Sequence, residues 1–164
     1  MIAEASNALA LELPQRSTQR PETTNSVPHV QLGVDINRAL AKRLLQHVAK
    51  LPHVELGPTR VSLPGAIGFQ LDPGLPLARP DAIVGGMEFA HMHPDGSLHA
   101  SLDPDHAQAA IDTGWAVARP WARSRPGWDG FVMIYTPLTE ADLKTVIRLV
   151  EASYAYVTGK NLPE

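Results

Sequence analysis

Glu88-Phe89-Ala90-His91-Met92-His93-Pro94-Asp95-Gly96-Ser97-Leu98-His99-Ala100-Ser101-Leu102 is the stretch on which the reading of this chain turns. Met87–His93 and Leu98–Leu102 alternate in the manner of strands, and Pro94-Asp95-Gly96 between them is a strong turn signal. Side chains alternate along a strand, so His91 and His93 share a face with Phe89, while Glu88, Ala90 and Met92 take the other. The place of His99 depends on the turn. A three-residue loop, Asp95-Gly96-Ser97, pairs His93 with His99 and His91 with Ser101, and the three imidazoles converge. A two-residue Asp95-Gly96 loop has the better local propensity but sends His99 to the opposite face. Leu98, Ala100 and Leu102 form the natural core face of the second strand, and Ala90 and Met92 that of the first. Bringing these together requires the odd loop, so burial decides for convergence.

Outward from the hairpin, the elements follow in a simple order. Ile36, Leu40, Leu44 and Val48 recur at helical spacing and predict a helix that stops before Pro52. Val54–Ser62 and Ile67–Leu71 read as strands around a Pro64-Gly65 turn, and residues 72–80 as a loop. Asp103 and Pro104 open a helix as N-cap and first residue, and Gly114 is placed to end it. Arg119–Gly130 reads as a loop, and Phe131–Tyr135 as a short strand. Thr139 and Asp142 form a capping-box variant ahead of a last helix with Leu143, Val146, Ile147, Val150 and Tyr154 on one face. Short hairpins without β-α-β alternation predict an α+β fold, a mostly antiparallel sheet packed against about three helices.

Residues 1–30 read as a disordered tail and residues 31–164 as one domain. Thr, Ser, Gln and Pro dominate from Pro14 to Pro28, although Glu4–Leu13 could form a short helix. A chain of 164 residues is long enough to bury a core without staples. The net charge of −3 predicts no broad affinity for nucleic acid or anionic membrane. The absence of cysteine removes disulfides, thiolate metal sites and cysteine nucleophiles. No apolar run approaches the roughly 20 residues of a membrane span, and the N-terminus lacks a signal-peptide pattern, so a cytoplasmic protein is expected.

Three of the seven histidines fall within nine residues of the hairpin. Converging neutral imidazoles suit a divalent metal held by His91, His93 and His99. They equally suit metal-free acid–base work or ligand binding near neutral pH. A third reading makes them hydrogen-bonded residues that complete the fold. Glu88 reads either as a partner behind the histidines or as half of an ion pair with Arg60 or Arg79. His29, His47, His53 and His106 read as surface residues. Arg119-Pro120-Trp121-Ala122-Arg123-Ser124-Arg125 mixes cations with an aromatic ring, and in an acidic protein reads as a solvated or lid-like loop.

Several short motifs in order resemble the luciferase domain found in fungal bioluminescence enzymes and in bacterial proteins. They are Glu88-Phe89-Ala90-His91-Met92-His93, Ser97-Leu98-His99, Gly114-Trp115, Tyr135-Thr136-Pro137, Glu151-Ala152-Ser153 and Tyr156. The resemblance implies oxygen chemistry: O₂ adds to a hydroxylated α-pyrone, with no organic cofactor required. It points to His91, His93 and His99 as catalytic, and to Phe89, Arg119, Trp115 and Tyr135 as substrate-binding. One position departs from the pattern, since the family carries a histidine where this chain has Arg119. The expectation is an oxygenase-like enzyme acting on a small aromatic or enolic compound. The alternative is a non-catalytic small-molecule or metal-binding module using the same histidine face.

Overall fold

Alternating apolar residues in six segments leave each of them one face to bury, and they do so together. The computed structural model describes residues 11–25, 29–59, 61–83, 85–119 and 125–162. Strands β3 (Val54–Pro58), β4 (Ile67–Leu71), β5 (Glu88–Met92), β6 (Leu98–Ser101), β7 (Ala116–Ala118) and β8 (Phe131–Ile134) form one sheet. Its order is β3-β4-β5-β6-β8-β7, and every pairing is antiparallel. A separate two-stranded sheet joins β1 (Glu22–Thr23) to β2 (Gln31–Leu32).

Three helices are present among the described residues: α1 (Arg38–Val48), α2 (Pro104–Asp112) and α3 (Glu140–Thr158). Each begins at a residue whose side chain accepts a backbone N–H that the first turn would otherwise leave unpaired. Asn37 accepts from Leu40, Asp103 from Asp105 and Thr139 from Asp142. Gly159 ends α3 in the left-handed conformation that a side chain resists. The helices cover one face of the sheet. Leu44 and Val48 of α1, Leu149, Tyr154 and Val157 of α3, and Phe69, Ala90, Leu98, Ala100 and Val132 of the strands make a single core. The α+β expectation holds, and the sheet is antiparallel throughout.

Burial on the sheet's other face is of a different kind. Glu88, His91, His93, His99 and Ser101 are all hidden there. Covering them takes chain from outside the sheet, and part of it comes from the region whose composition suggested a tail. Arg16 donates its backbone N–H to Thr113 and stacks on Trp115 and Tyr135. The Gln31 side chain donates to the Asp95 carbonyl and accepts from the Thr136 backbone N–H. These contacts join Arg16 and Gln31 to residues far along the chain. Most of the expected Glu4–Leu13 helix lies outside the described residues. Residues 11–13 carry no helix.

Candidate active site

The hairpin turn is Pro94-Asp95-Gly96, one residue earlier than expected. Proline presets the backbone of the first turn position. Gly96, at φ +85°, takes the left-handed position that closes a three-residue hairpin loop. The His93 N–H then donates to the Ser97 carbonyl, the Gly96 N–H to the His93 carbonyl, and the Ser97 N–H to Asp95 Oδ1. The register becomes His91 opposite His99 and Met92 opposite Leu98. This corrects the expected pairing of His93 with His99 by two residues. A slip of two preserves the face, so the three imidazoles converge as expected.

The strand's alternation fails at one point. Between Phe69 and Gln70 the pairing of β4 with β5 jumps, so that Phe69 faces Ala90 and Gln70 faces Glu88. The extra residue of this bulge is Phe89. It turns into the core, fully buried against Phe69 and Tyr154. Glu88 thereby moves to the histidine side. Phe89 is therefore a core residue and not a wall of the site. Glu88 is the partner behind the histidines, while Arg79 donates instead to the Tyr156 carbonyl and stacks on its ring. Arg60 lies outside the described residues.

The site is a chain of rings. His91 Nδ1 lies 2.9 Å from Glu88 Oε2. His91 Nε2 lies 3.2 Å from His99 Nδ1. His99 Nε2 lies 3.0 Å from Nδ1 of His29, which reaches in from the segment before β2. Glu88 also accepts from the Thr59 hydroxyl and the Gln70 amide. A second, shorter chain runs beside it. The Ser97 hydroxyl donates to Asp95 Oδ1 at 2.6 Å and lies 2.9 Å from His93 Nδ1. The hydroxyl has one proton, and Asp95 receives it. His93 must therefore donate from Nδ1 and keep a lone pair on Nε2.

Burial and charge keep His29, His93 and His99 neutral. Desolvation, with Arg119 adding to it, lowers the His29 pKa to about 4. Desolvation and the neighbouring His91, His29 and Arg119 lower that of His93 to about 3. His99 is pushed well below its ordinary value for the same reasons, desolvation first. All four rings are 3–4% exposed, so they form a floor and not a solvated rim.

Above that floor lies a cavity of about 420 Å³. His29, His91, His93 and His99 line it, with Phe131 and Trp128 on one wall and residues 61–64 on another. Arg119 and Arg125 complete it, and both guanidinium groups stack on Trp128. Desolvation followed by the charge of Arg125 lowers the Arg119 pKa. Among the described residues neither arginine has a carboxylate partner.

The other expected binding residues do not reach this cavity. Trp115 donates its indole N–H to the Pro14 carbonyl, and Tyr135 lies under Arg16. Both hold the chain's own N-terminal segment. Arg119 is in place. His29, which reads as a surface residue, is buried at the cavity, and Arg125, from a stretch that reads as a solvated loop, lines it; Trp128 and Phe131 carry no expectation from the sequence as site residues. For His29 no local signal exists, because its partner is 70 residues away. A weak signal existed for Trp128, in the interleaving of arginine and tryptophan along the loop.

Ring nitrogens of His91, His93 and His99 lie within 4.8 Å of one another, near enough to share a cation. In the network above, however, His91 Nε2 and His99 Nδ1 are engaged with each other. A cation between them would require His99 to shift its proton to Nε2, and His29 to do the same.

Buried imidazoles and two arginines without a carboxylate partner among the described residues thus meet at one cavity of an α+β domain. Residues 86–153 match the family model described as Luciferase domain. The chain is 27% identical to the luciferase of Armillaria mellea over 170 residues, which take in 90% of this chain and 62% of that protein. The luciferases of Armillaria ostoyae and Neonothopanus nambi match at the same identity and coverage. The chain thus spans less than two thirds of the length of these relatives. No solved structure gives a significant match.

Proposed function

We propose that this domain is an oxygen-dependent enzyme that acts on a small, flat, enolic compound of the α-pyrone kind, using no metal and no organic cofactor. One observation supports this reading above the others. Unprotonated ring nitrogens face a cavity whose only described cations lack partners. The lone pairs accept a hydrogen bond from an enol O–H, and the arginines hold the anion formed when that proton leaves. Trp128 and Phe131 offer faces on which a flat ring packs.

The reaction balances without another reagent. The enol O–H bond breaks and its proton goes to a histidine. The enolate carbon bonds to O₂ and is oxidised as O₂ is reduced to a peroxide anion. That anion takes the proton back, leaving a hydroperoxide that fragments further according to the substrate. Buried imidazoles hold a proton weakly, which favours its return.

Oxygen uptake is the test, with 3-hydroxyhispidin-like pyrones and catechols as probes and light recorded in parallel. Protein-dependent uptake that disappears in His93→Ala, with the melting curve intact, is the expected result. Binding of a pyrone without uptake would overturn catalysis and leave a binding module. Neither binding nor uptake would overturn both.

A further inference from the structure

We infer that His29 is the proton entry point of the site, and that His29, His99 and His91 form a relay ending beside the carboxylate of Glu88. The inference deepens the proposed oxygen chemistry and relies on it for the identity of the proton donor.

Glu88 is fully buried, and the imidazole that touches it is His91. Both nitrogens of His91 are engaged, one with Glu88 and one with His99. Both nitrogens of His99 are engaged as well, with His91 and His29. Only at His29 does the chain open: its Nδ1 faces His99, and its Nε2 has no partner among the described residues. His29 lines the cavity.

The carboxylate fixes the direction of every proton. Glu88 accepts, so His91 carries its proton on Nδ1 and has a lone pair on Nε2. His99 must then donate from Nδ1, which leaves Nε2 to accept from His29 Nδ1–H. A lone pair remains on His29 Nε2, where a substrate hydroxyl can reach it. When His29 Nε2 takes the enol proton, its Nδ1 proton passes to His99 Nε2, and the His99 Nδ1 proton passes to His91 Nε2. Three N–H bonds form and two break, together with the substrate O–H bond. The net result is an enolate in the cavity and an imidazolium at His91, paired with the Glu88 carboxylate, which itself takes no proton. The charges that face the relay suit this direction. Arg119 sits on the cavity side near His29, and it disfavours a positive charge there. His93, the remaining titratable neighbour, is neutral and raises no barrier.

His93 offers a competing lone pair on Nε2, but its second nitrogen leads only to Ser97 and Asp95. That pair of bonds orients the ring. It does not place a carboxylate directly on the imidazole.

The relay commits three rings to one tautomer, which can be read without any substrate. Full-length protein with ¹⁵N-labelled histidine, treated with EDTA, is examined by long-range ¹H–¹⁵N spectra at pH 7, with His29→Gln, His91→Gln and His99→Gln used for assignment. Neutral His29, His91 and His99, each with its proton on Nδ1, is the expected result. A proton on Nε2 of His99, the arrangement that frees Nδ1 for a cation, overturns the inference. So does an imidazolium at any of the three in the resting protein. These outcomes leave the oxygen chemistry standing, whereas absent oxygen uptake with the expected tautomers counts against the oxygen chemistry alone. With a pyrone that is turned over, His29→Ala should lower kcat at least tenfold with KM changed less than threefold. Added imidazole should restore part of the rate by filling the space left by the ring. Unchanged kcat in both His29→Ala and His29→Gln overturns entry at His29.

Discussion

The carboxylate of Glu88 meets Nδ1 of His91 at 2.9 Å only because Phe89, lying between them in the strand, has dropped out of register into the core. Strict alternation would put Glu88 among the core side chains and Phe89 under the histidines. The bulge exchanges a ring for a carboxylate in the layer beneath His91. It also makes the histidine floor depend on residues that never touch a ligand.

Gly68 is one of these. It lies opposite His91 across the β4–β5 pairing. A methyl group at Gly68 would come within 2.5 Å of both Glu88 Oε1 and Gln70 Nε2. Gly68→Ala should push the carboxylate off His91 and leave a buried charge short of a bond, costing about 1–3 kcal/mol. Urea unfolding measures this. An unchanged midpoint would mean that Glu88 has room to move.

His91 and His93 should differ sharply when removed. His91→Ala leaves the fully buried carboxylate without its imidazole, and the loss is expected at about 2 kcal/mol or more. His93→Ala leaves Ser97 still bonded to Asp95, so the loss should be near 1 kcal/mol or below. Thermal melts of the two variants decide. Equal losses would contradict the network drawn above.

Acid should unfold the protein through its histidines. The folded state holds His29 with a pKa of about 4 and His93 with one of about 3, against an ordinary value near 6.5. Between these limits the unfolded chain binds more protons than the folded one, so stability rises with pH across that window. It is complete above about pH 6.5 and falls as the pH drops towards 4, by roughly 1 kcal/mol per unit for each such group. His93→Gln should flatten the slope of melting temperature against pH between 6 and 4. The same slope in both proteins would show that His93 is not held neutral.

Arg119 has no described carboxylate partner and is partly desolvated. Arg119→Gln should therefore cost little stability, within about 0.5 kcal/mol. It should weaken binding of an anionic pyrone about 10- to 100-fold, while a neutral O-methylated analogue is affected much less. Titration by fluorescence of Trp128 and its neighbours measures both. Equal weakening for the two ligands would remove the anion from the argument.

Metal content separates the remaining readings. Protein purified without a histidine tag should hold less than about 0.2 equivalents of any transition metal, before and after incubation with Zn²⁺ or Fe²⁺, because His91 and His99 satisfy each other. A full equivalent that survives dialysis would reassign the floor.

Much of this architecture was legible because local rules and burial agreed. The caps at Asp103 and Thr139, the end of α3 at Gly159 and the shared face of the histidines all rest on that agreement. Reading failed where one residue breaks a period. Nothing within β5 itself announces that Phe89 leaves the alternation, since the cause is the core space between Phe69 and Tyr154. It failed too where a contact is long-range. Trp115 and Tyr135 look like ligand-binding aromatics but bind residues 14–16. Arg16, His29 and Gln31 likewise find partners far along the chain, which no local pattern announces. The three-residue strand β7 is too short to show a period at all.

His29 has a consequence for kinship. It stands well outside residues 86–153, the part that matches the Luciferase domain model. The hairpin and its three rings lie inside that part, while His29 and residues 61–64, which line the cavity above them, do not. Floor and ceiling are therefore separable in sequence: what the cavity admits can change through the ceiling without a change in any residue of the matched stretch.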